Sequence, residues 1–174
     1  MIRRRPLLAA TVAAASMLAF VAGPSGADQT AITVTIAGGT LTIDAPLTVT
    51  GSGAINSIVT VDVPSVAIAD DRGSLLGWTA TASATDLTTG GGDEVGETIL
   101  ATTLVWGTDS ITPTDGQAAI GLPAGGSLGV SSVIAVGAPL LSPGDFTVDG
   151  AITVPVPVNA RAGDYTGTLT TTIS

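Results

Sequence analysis

The sequence predicts an all-β protein, an antiparallel β-sandwich of the Greek-key or immunoglobulin-like type with about nine strands. Short runs rich in Val, Ile and Thr recur between Gly, Pro and Asp residues, at the spacing typical of sandwiches and barrels. After residue 27, no segment combines the apolar stripe of an amphipathic helix with capping residues. We therefore expect essentially no α-helix beyond an N-terminal leader.

The predicted strands are separated by turn residues. In chain order they are ITVTI (32–36), LTID (41–44), LTVT (47–50), SIVTVDV (57–63), the strand around Trp78, TILATTLVW (98–106), LGVSSVIAV (128–136), FTVDGAITVPV (146–156) and the C-terminal strand. The stretch 88–97 is rich in glycine and acidic residues, and it predicts a loop between the Trp78 strand and the strand that ends at Trp106.

Two segments, 70–85 and 156–174, have the same construction. In the first, Trp78 and three alanines at every second position share one face of an extended strand, and Thr and Ser share the other. In the second, Tyr165 shares a face with Leu169 and Ile173, and threonines occupy the opposite face. Both patterns predict half-buried strands with a hydroxyl-rich outer side.

The N-terminus has the three parts of a secretory signal peptide. Basic residues at 3–5 precede an apolar stretch, and small residues lead to a cleavage point after Ala27. We predict a signal peptide at 1–27 and a single β-sandwich domain at 28–174. A basic leader suits general export, and the Arg4-Arg5 pair leaves twin-arginine export as an alternative. No segment after the leader is long and apolar enough to span a membrane, so an extracellular product is expected.

The predicted mature chain is strongly acidic. Removing 27 of the 174 residues leaves 147, with Arg72 and Arg161 as the only basic residues against 14 acidic ones and a formal charge of −12. Such a chain repels nucleic acid and anionic membranes, so no nucleic-acid partner is expected. The chain has no Cys, which excludes disulfides, but this length is sufficient to bury a core without them.

The residue types argue against an enzyme. The chain has no His, Cys or Lys, so it lacks the usual general bases and the usual thiol and amine nucleophiles. Paired carboxylates remain, as in glycoside hydrolysis, but sugar clefts need aromatic walls and aromatic residues are scarce here. We predict a non-catalytic protein with no catalytic residue and no cofactor.

Acidic groups at Asp70-Asp71 and at 93–97 offer oxygen ligands for calcium, but they match neither EF-hand nor RTX spacing. We therefore predict solvated loop carboxylates and no metal site. Because basic residues are so few, Arg72 and Arg161 are each expected to have a carboxylate or carbonyl partner, with Asp71 as the predicted carboxylate.

Trp78, Arg72 and Tyr165 are the candidate binding residues, and a structural role is the alternative for each. Trp78 is either a ligand platform or a core anchor. The small alanines on its face favour the core, where its indole N–H should find an acceptor. Tyr165 follows a turn at the start of the last strand, which resembles the position of a corner tyrosine in Greek-key sandwiches.

These regions also resemble the WxL surface-domain family, over nearly the whole mature chain. The likeness rests on a turn that ends in Asp-Arg-Gly at 71–73, the Gly77-Trp78 pair, the run Asn-Ala-Arg-Ala-Gly-Asp-Tyr at 159–165 and the Thr-rich terminal strand. Where that family has its two Trp-x-Leu motifs, this chain has Trp-Thr-Ala at 78–80 and Thr-Thr-Ile at 171–173. The chain is therefore similar to a divergent member.

The resemblance implies a secreted, non-catalytic WxL-like domain that associates non-covalently with the Gram-positive cell wall. Its implied partner is cell-wall peptidoglycan or another surface protein. An alternative from a different class is a structural or assembly subunit that polymerises through unpaired edge strands.

Overall fold

The structure of the protein, a computed structural model, describes residues 31–114 and 125–174. The strands and turns below all lie within Ile36–Ser174, one of the two units into which the chain divides. The predicted signal peptide, 1–27, lies outside the described residues. Within the described ranges, no helix has the length and apolar character needed to cross a bilayer.

Strands make up nearly all the regular structure of this unit. In chain order they are β1 (Leu41–Asp44), β2 (Ile58–Asp70), β3 (Trp78–Ala84), β4 (Leu87–Thr88), β5 (Thr98–Ile99), β6 (Val105–Pro113), β7 (Gly126–Ser127), β8 (Ser132–Gly137), β9 (Gly144–Pro155) and β10 (Leu169–Ile173). One 3₁₀ turn, Ala101–Thr103, is the sole helical element in the described ranges. The all-β prediction is confirmed, with ten strands described in place of about nine.

Two antiparallel sheets form the sandwich. The larger has the order β1-β2-β9-β6-β7 and the smaller the order β10-β3-β8, and β4 and β5 form a separate ribbon. Many neighbours are far apart in sequence, since β2 pairs with β9 and β3 pairs with both β8 and β10. Because β1 approaches β10 and β6 approaches β8, the two sheets curl towards each other at both sides.

The two segments of like construction are direct neighbours in the smaller sheet. β3 pairs with β10 so that Thr171 lies opposite Ala82. Trp78, Ala80 and Ala82 are buried, as their alternation predicts. On the outer face, the Thr81 and Thr172 hydroxyls share a hydrogen bond of 2.7 Å. The hydroxyl-rich outer side is therefore a surface formed by both strands together.

Each tryptophan of the core lies against a glycine on a neighbouring strand. A Cβ on Gly137 would lie 2.3 Å from Trp78 Cε2, and a Cβ on Gly150 would lie 2.5 Å from Trp106 Cζ2. Trp78 also meets Phe146 of the opposite sheet edge to face, with ring centroids 5.3 Å apart. With so few aromatic residues, these glycines give the indoles the room to join the two sheets.

Two predicted strands, 32–36 and 47–50, are wrong, because neither segment pairs in the described structure. Leu47 is fully exposed at 101%. β1 ends at Asp44, and Pro46 then removes the backbone donor that further pairing with β2 would need. The chain therefore leaves the sheet at the point where a longer β1 would have continued.

Three other boundaries differ from the prediction. The segment 98–106 is broken by the 3₁₀ turn, where the Ala101 N–H donates to Asp86 Oδ1 at 2.7 Å. After this turn, the Leu104 carbonyl accepts a hydrogen bond from the Leu128 N–H at 2.9 Å. Here the chain passes from the ribbon of β4 and β5 to the larger sheet, which it joins as β6. The predicted strand 128–136 begins only at Ser132, and the last strand only at Leu169. A loop is confirmed at 89–97, but Thr88 belongs to β4, and the loop connects β4 to β5 and not the Trp78 strand to a strand that ends at Trp106.

Candidate functional site

A cleft of about 1050 Å³ opens between the two sheets, and we call it the inter-sheet cleft. Val59, Val61 and Val63 of β2 form part of one wall, and Leu87 and Leu169 lie among the lining residues of the opposite side. This volume is slightly above the range of ordinary small-molecule sites, roughly 300–1,000 Å³. Since its side chains are mainly aliphatic, the cleft suits apolar groups.

β2 has an unpaired edge beside this cleft. β1 pairs with β2 only at 67–70, and among the described residues no strand pairs with 58–63 on that side. A bulge between Val63 and Val66 separates the two halves of the strand. There Ser65 has a φ of 58° and its N–H donates to Asp149 Oδ1 at 2.8 Å. We call 58–63 the free edge of β2.

The segment 45–55, which we call the strap, borders the mouth of the cleft. Val49 is partly buried against the core. Gly53 approaches β2 so closely that an added Cβ would lie 2.3 Å from Val59 Cγ2. Within the described chain, however, the strap makes no backbone hydrogen bond to the free edge. Side-chain packing and one hydrogen bond, from Ser57 Oγ to the Ala54 carbonyl at 2.6 Å, therefore hold the strap over this half of β2.

Tyr165 lies at the rim of the inter-sheet cleft and fastens the 89–97 loop there. Its hydroxyl accepts from the Arg161 backbone N–H at 3.0 Å and donates to the Gly96 carbonyl. The Arg161 guanidinium pairs with Glu97 Oε1 at 2.9 Å and also with Glu94. The tyrosine thus bonds to backbone four residues upstream, as a corner tyrosine does, but it lies four residues before β10 and not at the start of that strand as predicted.

Arg72 pairs with Asp70, and the predicted pairing with Asp71 is wrong. Its guanidinium donates to both carboxylate oxygens of Asp70, at 2.8 and 2.9 Å, and to the Gly77 carbonyl at 2.6 Å. The bulge in β2 explains the difference, because one extra residue moves each later side chain to the other face. Asp70 is consequently buried, at 2% exposure, and Asp71 is exposed.

The electrostatics of this pair favour its charged form. The hydrogen bond from the Arg72 side chain holds the pKa of Asp70 below its usual value, although burial acts in the opposite direction. The same hydrogen bond raises the pKa of Arg72. The pair therefore joins the end of β2 to the residue before β3, at the end of the sandwich where the chain passes between the sheets.

Trp78 is a core residue, as its alanine neighbours predict. It is 3% exposed, and its Nε1 donates to the Ser142 carbonyl at 3.0 Å. Together with Arg72 it borders a shallow depression of about 440 Å³, whereas Tyr165 borders the inter-sheet cleft. The structure therefore does not bring the three candidate binding residues into one site.

Three of the acidic residues weighed as calcium ligands pair with arginine. Asp70 is paired with Arg72, and Glu94 and Glu97 are paired with Arg161. In the ranges 31–114 and 125–174, no group of three or more acidic residues has a geometry that would hold a metal ion.

Sequence reasoning did not identify the inter-sheet cleft or its valines. The available signals were Pro46, which follows β1 directly, and Pro64, which lies within the β2 run. Both remove a backbone donor, and together they mark where β1 and β2 separate. No protein-family model matches the chain, and comparison with curated proteins finds no match. The fold and the cleft are thus the basis on which a function can be argued.

Proposed function

We propose that this protein is a secreted, non-catalytic surface domain that associates with a partner surface protein by accepting an extended segment along the free edge of β2. The observation that supports this most is the coincidence of an unpaired strand edge with an apolar cleft behind it. An incoming strand would pair its backbone with 58–63 and place alternate side chains in the cleft, which is the geometry of strand addition.

The mainly aliphatic side chains that line the inter-sheet cleft favour a protein partner over cell-wall glycan. The valines of β2 offer apolar contact, and sugars need aromatic walls and free polar groups. The one aromatic residue at the rim, Tyr165, has its hydroxyl engaged by the backbone of Arg161 and Gly96. Secretion and a wall location rest on the leader at 1–27 and on the WxL resemblance, and they belong to the same proposal.

A second candidate function is an assembly subunit that polymerises through edge strands. The free edge of β2 favours it as well, because an unpaired edge is a template for another strand of any origin. The two functions differ in the source of the incoming segment.

Replacing Val61 with aspartate is expected to weaken envelope binding strongly. The new carboxylate would lie in the cleft, and burying it without a partner costs more than the 1.4 kcal/mol that corresponds to a tenfold loss, so retention should fall at least about tenfold. Thr60→Asp is the matched control, because Thr60 is the exposed neighbour on the opposite face of the same strand. Retention is measured on cell-wall sacculi that carry their surface proteins and on sacculi stripped of protein.

The proposal expects wild type and Thr60→Asp to bind the protein-bearing sacculi only. Equal retention of Val61→Asp and wild type would contradict a role for the cleft. Equal binding to stripped sacculi would show that the partner is the glycan.

A further inference from the structure

Besides the free edge of β2, the described chain contains an unpaired segment with the sequence pattern of a strand. The segment 32–36, Ile-Thr-Val-Thr-Ile, has the two-residue alternation of a half-buried strand. Its apolar side chains are nevertheless exposed, at 86% for Ile32, 76% for Val34 and 89% for Ile36. The chain therefore presents a strand-forming segment that lacks a sheet and a sheet edge that lacks a strand.

The two features are complementary in length and pattern, and the segment is uncharged. Five residues extend about 17 Å and the free edge of β2 has six residues. Side chains at 32, 34 and 36 would all point towards the cleft while the two threonines faced water, as Thr60 does on β2. No charged residue occurs between 29 and 43, so the segment meets no repulsion from a chain whose formal charge is −9.

This segment cannot fill the cleft of its own chain. The Gly39 N–H donates to the Asp71 carbonyl, so residue 39 is held at the far end of β2. The free edge begins at Val63, eight residues from Asp71 and hence about 26 Å away along the strand. Ile36 is three residues from Gly39 and reaches at most about 10 Å from it. Ile36 therefore cannot lie beside 58–63 in the same molecule, and the five-residue pairing cannot form there.

We infer that residues 32–36 of one copy occupy the inter-sheet cleft of a second copy and pair with its free edge of β2. This rests on the proposed function's use of the free edge of β2, and it specifies the second candidate, in which the incoming segment comes from another copy of this chain. The incoming segment displaces the strap from the free edge, because no backbone hydrogen bond joins the two. Because donor and acceptor are different surfaces, the contact is head to tail and generates open chains.

Val34→Asp and its neighbour Thr33→Asp test the donor segment. Both add one carboxylate to an exposed part of the chain, so folding should not be affected. Light scattering coupled to size-exclusion chromatography of the exported, purified chain should show a mass that rises with concentration for wild type and Thr33→Asp. Val34→Asp should weaken assembly at least about tenfold, because its carboxylate would enter the apolar cleft.

Mixing two variants gives a sharper test. Val34→Asp keeps a working cleft, and Val61→Asp keeps a working donor segment, so each alone should be monomeric. Mixed in equal amounts they should form a 1:1 dimer that does not grow further. If Val61→Asp loses its near-ultraviolet circular dichroism, a synthetic peptide of residues 31–39 replaces it: the peptide should dissociate wild-type chains, and its Val34→Asp form should not.

A wild-type chain that stays monomeric at all concentrations would overturn the second-copy inference. In that case, loss of envelope retention by Val61→Asp would still support the proposed function. Assembly that Thr33→Asp and Val34→Asp weaken equally, or two folded variants that fail to dimerise on mixing, would also overturn it.

Discussion

Replacing Trp78 with alanine is expected to lower the free energy of unfolding by about 3–5 kcal/mol, the range for large aromatic residues removed from a core. Trp78 is 3% exposed and contacts Phe146 across the two sheets. Its removal would leave a cavity beside Gly137, which has no side chain to fill it. The Ser142 carbonyl would also lose its donor at 3.0 Å.

Urea unfolding followed by fluorescence and circular dichroism measures this change. Trp78→Phe is the matched control, because it keeps an aromatic ring and should cost less than half as much. If Trp78→Ala unfolds at the wild-type urea concentration, the indole does not anchor the core. A folded Trp78→Ala protein that loses envelope retention would instead make Trp78 a ligand platform.

Replacing Asp70 with asparagine is expected to lower the free energy of unfolding by about 2 kcal/mol, within the roughly 1.5–3 kcal/mol of hydrogen bonds to charged groups. Asp70 is buried and accepts two hydrogen bonds from the Arg72 guanidinium. An asparagine keeps the size but cannot accept both. Asp71→Asn is the matched control, since Asp71 is exposed, and it should leave stability nearly unchanged.

This contribution should depend on pH in a defined direction. The pKa of Asp70 is lowered in the folded protein, so its stabilising effect is complete above the ordinary value of 3.8 and is lost as the pH falls through the lower, folded value. The raised pKa of Arg72 limits the effect only at strongly alkaline pH. The stability difference between wild type and Asp70→Asn should therefore be constant from about pH 5 to 8 and shrink below about pH 4. A difference that persists unchanged in acid would show that the carboxylate charge is not involved.

Alternation along the chain predicted which side chains of β3 lie inside, because the two-residue period of a strand fixes the face of each residue. It could not predict which strands pair. The segments at 32–36, 41–44 and 47–50 have nearly the same composition, and only the second pairs in the described structure. Pro46 explains why pairing stops after β1, whereas the choice of the segment that pairs with β2 depends on tertiary structure.

Register also limited the prediction of the ion pairs. The alternation that begins at Val63 places Asp71 inside if β2 is regular, and the bulge at Pro64 and Ser65 places Asp70 inside instead. A bulge of one residue leaves little trace in composition, although Pro64 is a hint. The inter-sheet cleft was missed for a related reason: it forms where β1 stops short, and an absent neighbour leaves no motif in the sequence.

The most direct test of this account is amide hydrogen exchange on the Val34→Asp variant, which should be monomeric. The amides of 58–63 that point away from β9 should exchange quickly, whereas those of 67–70, which have strands on both sides, should exchange slowly. A peptide of residues 31–39 should then protect the amides at 58–63. Equal protection of both halves of β2 in the monomer, or no response to saturating peptide, would contradict the claim that this edge is open to a strand.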